Sequence, residues 1–158
     1  MNILVLCTGN SARSILLECL LRRLSGGQIN AFSAGSQPSG QVHPQSFALL
    51  QREGFDVSGL SSKSWDIYAG PDAPKMDAVI TVCGSAAGET CPMWPGTPLR
   101  AHWGVDDPAA TPEADAPAAF QAAYDILHRR AAAFTSAPLL QMDRATLQAH
   151  MIACSNIS

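Results

Sequence analysis

Near the start of the chain the apolar run Ile3-Leu4-Val5-Leu6 gives way to Ile15, Leu16, Leu17, Leu20, Leu21 and Leu24, which recur at helical spacing. This change of period predicts a buried strand over 2–7, a loop, and a helix over 12–25 that stops at the C-cap signal Gly26-Gly27. A second strand follows over 29–32. Pro44, a favoured first helical residue, opens a second helix carrying Phe47, Leu49 and Leu50 and ending near Gly54. Residues 57–75, with Trp65, Tyr68, Gly70 and two prolines, read as a loop with one short helical turn. Strands are predicted over 77–83 and 98–104, then a long alanine-rich helix over 117–134. Strands alternating with helices imply an α/β fold, with a parallel sheet, right-handed crossovers and helices on both faces. Ser136-Ala137-Pro138 breaks the long helix, and a short extra helix is predicted over 143–154, with Leu147, Met151 and Ile152 on one side. The expected organisation is one catalytic body over 1–135 and an extension over 136–158 that packs on it or on a second subunit.

Composition narrows the function classes. At 158 residues with 47% apolar content there is one domain with room for a normal core. The net charge of −3, without any Lys/Arg-rich run, argues against nucleic acid or an anionic membrane as partner, so any anion site must be local. No signal peptide or apolar membrane span is apparent, and a cytoplasmic location is expected. Five cysteines there read as reduced, catalytic or redox-active thiols.

The loop between the first strand and first helix is Cys7-Thr8-Gly9-Asn10-Ser11-Ala12-Arg13-Ser14. Backbone N–H groups of Thr8 to Ser14, the positive helix end and the Arg13 fork can converge there on one tetrahedral oxyanion. Cys7 lies where that field is strongest, and cationic surroundings favour the thiolate, so it is expected to be an anionic nucleophile. Gly9 is expected to take unusual backbone angles, Asn10 to tolerate left-handed ones and brace the loop, and Ser11 or Ser14 to donate a hydroxyl to the sulfur. An isolated C-x5-R match would more often be a buried cysteine in an ordinary turn; the glycine, asparagine and flanking elements reverse that judgement.

A second constellation follows. Cys83 closes the third predicted strand and Cys91 comes after Gly84-Ser85-Ala86-Ala87-Gly88-Glu89-Thr90. Ligands of a parallel sheet meet the carboxyl ends of its strands, which puts Cys83 on the same edge as Cys7. The glycines would let Cys83 face Cys7 in one state and pair with Cys91 in another, provided the Cα atoms close to within about 7 Å. The competing readings are two small buried hydrophobes, or half of a zinc or arsenite site, for which the spacing is poor. Cys19, inside the first helix, reads as a buried apolar residue, and Cys154 as a spare thiol.

The Cys7–Ser14 loop resembles the phosphate loop of the low-molecular-weight tyrosine phosphatases and of the arsenate reductases sharing their fold. Further matches are Ser33-Ala34-Gly35, Val42-His43-Pro44, 77–83, and His102-Trp103-Gly104-Val105-Asp106-Asp107-Pro108. The resemblance implies a three-layer α/β/α domain with strand order 2-1-3-4. It implies Asp107, rather than Asp106, as the general acid, and a relay in which Cys7 attacks arsenate, Cys83 attacks the arsenylated Cys7, and Cys91 carries the disulfide outward. His102 and Trp103 match family residues but read as a hydrogen-bonded His beside a packed Trp. The chain departs from the pattern in places. Ala12 replaces a loop cysteine found in many members, and one more residue separates Cys83 from Cys91 than in some thioredoxin-linked members. Some members hold potassium through Asn, Glu, Ser and Asp; Asn10, Glu18 and Ser33 match, but Lys63 stands at the aspartate position, so its ammonium is expected to replace the cation. No metal or cofactor is expected.

Three functions remain open at this stage: arsenate reductase, tyrosine phosphatase, and a non-catalytic thiol module for arsenite or a soft metal. Asp107-Pro108 is followed by Ala109-Ala110, where the resembling phosphatases carry aromatic residues against the phosphotyrosine ring. A phosphatase would also leave Cys83 and Cys91 idle. Reduction is therefore favoured, with thioredoxin as the expected donor and glutathione with glutaredoxin as the alternative.

Overall fold

The computed structural model describes residues 1–84, 94 and 97–158. Four parallel strands, β1 (Asn2–Cys7), β2 (Asn30–Gly35), β3 (Ala78–Thr81) and β4 (Leu99–His102), lie in the order 2-1-3-4. Among the described residues the α-helices are α1 (Arg13–Leu24), α2 (Pro44–Arg52), α3 (Ala116–Thr135) and α4 (Arg144–Ser155). The short turn expected within 57–75 is a 3₁₀ helix at Trp65–Tyr68, and Ser64 caps it by accepting from the Asp66 N–H.

β1 is buried because it is a central strand with apolar residues on both faces. Ile3 and Val5 join a large cluster to which all four described helices contribute. Leu4 and Leu6 join a smaller one with Met76, Val79 and Trp94, closed by Phe32, Trp65 and Tyr68. Within α1, every residue from Ser14 to Leu21 is buried, as expected of a helix covered on all sides. Cys19 lies there; burial, reinforced by the neighbouring Glu18 charge, pushes its thiol up to about 12. It therefore stays neutral, as its reading as an apolar residue requires. Because the unfolded thiol ionises near 9, whatever stability this group contributes is complete below that pH and lost as pH climbs toward the folded value.

Three strand ends differ from expectation, β4 stopping at His102 rather than at residue 104. β2 runs on to Gly35 rather than stopping at residue 32, because Ser33, Ala34 and Gly35 pair in register with Val5, Leu6 and Cys7. β3 ends at Thr81, so Cys83 lies two residues beyond the strand rather than closing it, although the Val82 N–H still bonds Leu6 O at 3.0 Å.

The C-terminal helix α4 packs on the body, against edge strand β4. The Gln148 side-chain amide mimics a neighbouring strand, accepting from Arg100 N–H at 3.3 Å and donating to Arg100 O at 2.7 Å. The buried Trp103 donates from Nε1 to Met151 O at 2.9 Å and meets Phe134 edge-on. Truncating a buried ring of this size costs about 3–5 kcal/mol in typical cores. Beside it, His102 Nδ1 is hydrogen-bonded to Thr81 Oγ1 at 2.8 Å.

Candidate active site

The sheet brings the strand ends Cys7, Gly35, Thr81 and His102 to one edge, and the 7–14 loop curls over it. The loop's carbonyls face outward. Thr8 O accepts from Gln37 N–H at 3.0 Å; Gly9 O from Ser39 N–H at 2.9 Å and Ser62 Oγ at 3.1 Å; Ser11 O from His43 N–H at 3.0 Å and Ser46 Oγ at 2.8 Å. A planar trans peptide whose carbonyl points out turns the next N–H to the opposite side. The Gly9–Asn10 peptide does so: Asn10 N–H reaches Cys7 Sγ at 3.2 Å.

Gly35 sets how closely β2 approaches the loop. A Cβ there would collide with Thr8 O and lie 2.9 Å from Cys7 O. Both neighbours are backbone, so relief requires moving the loop itself. Gly35→Ala is expected to cost about 1–3 kcal/mol of stability. A loop displaced by that clash should bind inorganic phosphate at least about tenfold more weakly; calorimetric titration beside thermal melts checks both.

The left-handed backbone falls at Asn10, with φ 46°, and Gly9 has no positive φ. That corrects the expectation for Gly9, whose added Cβ would meet nothing nearer than Ser11 Oγ at 3.7 Å. Asn10 is fully buried and its amide is saturated. Nδ2 donates to Ser14 Oγ at 2.8 Å and Ser33 Oγ at 3.0 Å, while Oδ1 accepts from Lys63 N–H at 2.8 Å. With Ser14 Oγ accepting from Asn10, its own proton is available to Cys7 Sγ at 3.0 Å. Two donors thus address the sulfur, an arrangement that serves an anionic acceptor best. Of the two candidate serines, Ser14 takes that place; Ser11 acts through its carbonyl.

The same chain continues on the other side. Ser33 Oγ donates to Glu18, and the buried Glu18 pairs with Arg22 at 2.7 Å. Lys63 Nζ lies 2.7 Å from Ser61 O and 3.5 Å from Ser33 Oγ. Burial pulls the Lys63 ammonium below its ordinary value, against the opposing pull of Glu18. With an ammonium beside Ser33, the donor set does not fit a potassium ion.

Arg13 is largely buried, donating from one terminal nitrogen to Val105 O at 3.0 Å, while the other lies 3.4 Å from Asp107 Oδ2. Asp107 Oδ1 accepts from Ala109 N–H at 3.1 Å, capping a 3₁₀ turn at Pro108–Ala110. Cys83 Sγ lies 3.6 Å from Thr8 Oγ1. A cavity of about 520 Å³ is lined by Cys7, Arg13, Cys83, Asp107, Ala109 and loop residues, with no aromatic side chain among its described lining. Asp106 instead lines the adjoining groove against α3. Four of the five candidate catalytic residues thus share one cavity; Cys91 lies outside the described residues. Sequence reasoning missed Val105 and Ser62. Val105 acts through its carbonyl, which carries no side-chain signal, and Ser62 lay in a segment read only as loop.

A cysteine and an arginine from one loop share this cavity with a carboxylate, a grouping suited to an enzyme that works through a cysteine. The chain belongs to the low molecular weight phosphotyrosine protein phosphatase family, whose profile matches residues 2–148. An arsenate reductase of Bacillus licheniformis is 40% identical over 104 residues, spanning 66% of this chain and 71% of that protein. An arsenate reductase solved in the phosphate binding state superposes with a TM-score of 0.63 at 26% identity, over 83% of this chain and 96% of that one. The tyrosine phosphatase Wzb from Escherichia coli K30, in complex with sulphate, shares the fold with a TM-score of 0.68 at 20% identity, over 85% and 96% of the two chains. No helix among the described residues is long and apolar enough to cross a membrane.

Proposed function

We propose that this chain reduces arsenate to arsenite through Cys7, Cys83 and Cys91. The observation that carries the reading is that Cys83 opens on the same cavity as Cys7, where a phosphatase has no use for a second thiol. The absence of aromatic residues from the cavity's described lining favours a small inorganic oxyanion over a phosphotyrosine ring. The similarity to arsenate reductases points the same way.

The Cys7 thiolate attacks arsenic, and Asp107 delivers the proton with which one arsenate oxygen leaves as water. Arg13 and the inward N–H groups of 8–14 hold the remaining oxygens. Cys83 then attacks the Cys7 sulfur. The arsenic–sulfur bonding pair departs with arsenic, which becomes arsenite, and a Cys7–Cys83 disulfide remains. Attack by Cys91 on Cys83 frees Cys7 and leaves a Cys83–Cys91 disulfide. A dithiol of the thioredoxin kind reduces it; glutathione with glutaredoxin is the alternative donor.

Turnover of arsenate with a thiol reductant, measured beside turnover of p-nitrophenyl phosphate, tests this reading. Arsenate-dependent oxidation of reductant supports it. Ester hydrolysis with no arsenite formed replaces it with the phosphatase reading, for which Cys7, Arg13 and Asp107 suffice.

The Lys63 ammonium takes the place of a loop-bracing cation beside Ser33. Exchanging potassium for sodium should therefore leave arsenate KM unchanged, and a potassium-dependent rise in affinity would overturn that assignment.

A further inference from the structure

We infer that Arg130 is a positioning residue for the oxyanion site, its guanidinium fixing the 103–107 loop from which Val105 and Asp107 hold Arg13. The inference rests on the reading of Cys7, Arg13 and Asp107 as the reacting groups.

Arg130 projects from α3 and is only 8% exposed. Its Nη1 donates to Gly104 O at 3.1 Å and its Nε to Ile157 O at 2.7 Å. Among the described residues it has no carboxylate within ion-pair range. A buried guanidinium without a counter-charge is an expensive way to satisfy two carbonyls, and its value lies in the rigid fork that joins them.

What the fork joins is informative. Trp103 N–H bonds Thr81 O at 2.7 Å and Val105 N–H bonds Val82 O at 3.2 Å, so one side of the loop is tied to the sheet. On the other side Arg130 takes Gly104 O, and Arg13 takes Val105 O and the Asp107 carboxylate. The loop therefore lies between two arginines. Because Arg13 draws both of its described polar contacts from this loop, the position of the loop sets that of the guanidinium in the cavity it shares with Cys7.

Anchoring the C-terminal tail accounts for only one of the two Arg130 contacts, the one to Ile157 O. The adjacent Arg129 donates from Nε to Ser158 O at 2.7 Å. That contact ties the tail to α3 without touching the loop, which makes Arg129 the matched control.

The test compares Arg130→Met, Arg130→Lys and Arg129→Met with the wild type. The first readout is the ratio of Cys7 alkylation rates by iodoacetate and iodoacetamide, located by peptide mapping. The anionic reagent is favoured by a cation held over the sulfur, and the ratio requires no turnover. The second is kcat for arsenate per folded molecule. Arg130→Met should lose most of the iodoacetate preference, and kcat should drop about 10- to 100-fold, as when a reacting group is misplaced by about 1 Å. Arg130→Lys, which still reaches one carbonyl, should recover part of both, and Arg129→Met should match the wild type. A wild-type preference in Arg130→Met, or an equal loss in Arg129→Met, overturns the inference. Should Arg130→Met fail to fold, Arg130→Lys decides: an intermediate preference supports the positioning role and a wild-type one overturns it. If the wild type forms no arsenite while the preference still falls only in the Arg130 variants, the proposed function is wrong and the positioning role stands.

Discussion

Under the proposed function, Cys7→Ser should abolish arsenate reduction and any ester hydrolysis, with turnover falling to the background of the reductant alone. A serine hydroxyl could accept the Asn10 N–H and sit beside Ser14 much as the sulfur does, so the loop should remain folded. A hydroxyl, which ionises far less readily than a thiol, cannot supply an anionic nucleophile near neutral pH. Steady-state arsenite production, read with phosphate binding as a check on the loop, measures the effect. Substantial residual turnover with intact binding would remove Cys7 from the chemistry.

The second large effect separates the two activities. If the proposed relay operates, Cys83→Ser should stop multiple-turnover arsenate reduction with thioredoxin, since no thiolate would remain to attack the sulfur of arsenylated Cys7. Slow hydrolysis of p-nitrophenyl phosphate should persist near its wild-type rate, because water alone resolves a phosphocysteine. Cys91→Ser should behave differently, completing roughly one turnover and trapping a Cys7–Cys83 disulfide that non-reducing peptide mapping detects. Arsenate reduction at the wild-type rate by the Cys83 variant would mean that an external thiol takes that place, and the thioredoxin assignment would fall with the relay.

Much of the fold was legible because the apolar period changes cleanly. The run at residues 3–6 cannot be an amphipathic helix, and the spacing from Ile15 to Leu24 cannot be a strand. The end of β2 was not legible. Ser33, Ala34 and Gly35 carry little strand propensity, and pairing with β1 decides their conformation. In the site, Cys7, Arg13 and Ser14 could be placed because their side-chain chemistry declares a purpose. Asn10 was expected to tolerate left-handed angles and takes them, its buried amide contacts outweighing the cost of a left-handed asparagine, whereas Gly9 has no positive φ. Val105 and Arg130 were invisible for a different reason. One acts through a carbonyl, which every residue has. The other faces carbonyls supplied by residues far along the chain.

The outward carbonyls of the Cys7 loop carry a consequence for the chain during its synthesis. The donors that hold them come from Gln37, Ser39, His43, Ser46 and Ser62, and Arg13 finds its acceptor 92 residues downstream at Val105. A nascent chain that has emerged only through its first strand and helix has none of these. Its Cys7 then lacks the Asn10 N–H and Ser14 hydroxyl that the folded loop orients on the sulfur. Under the proposed function, the reactivity of Cys7 would thus be acquired only late in folding, once the downstream donors are in place.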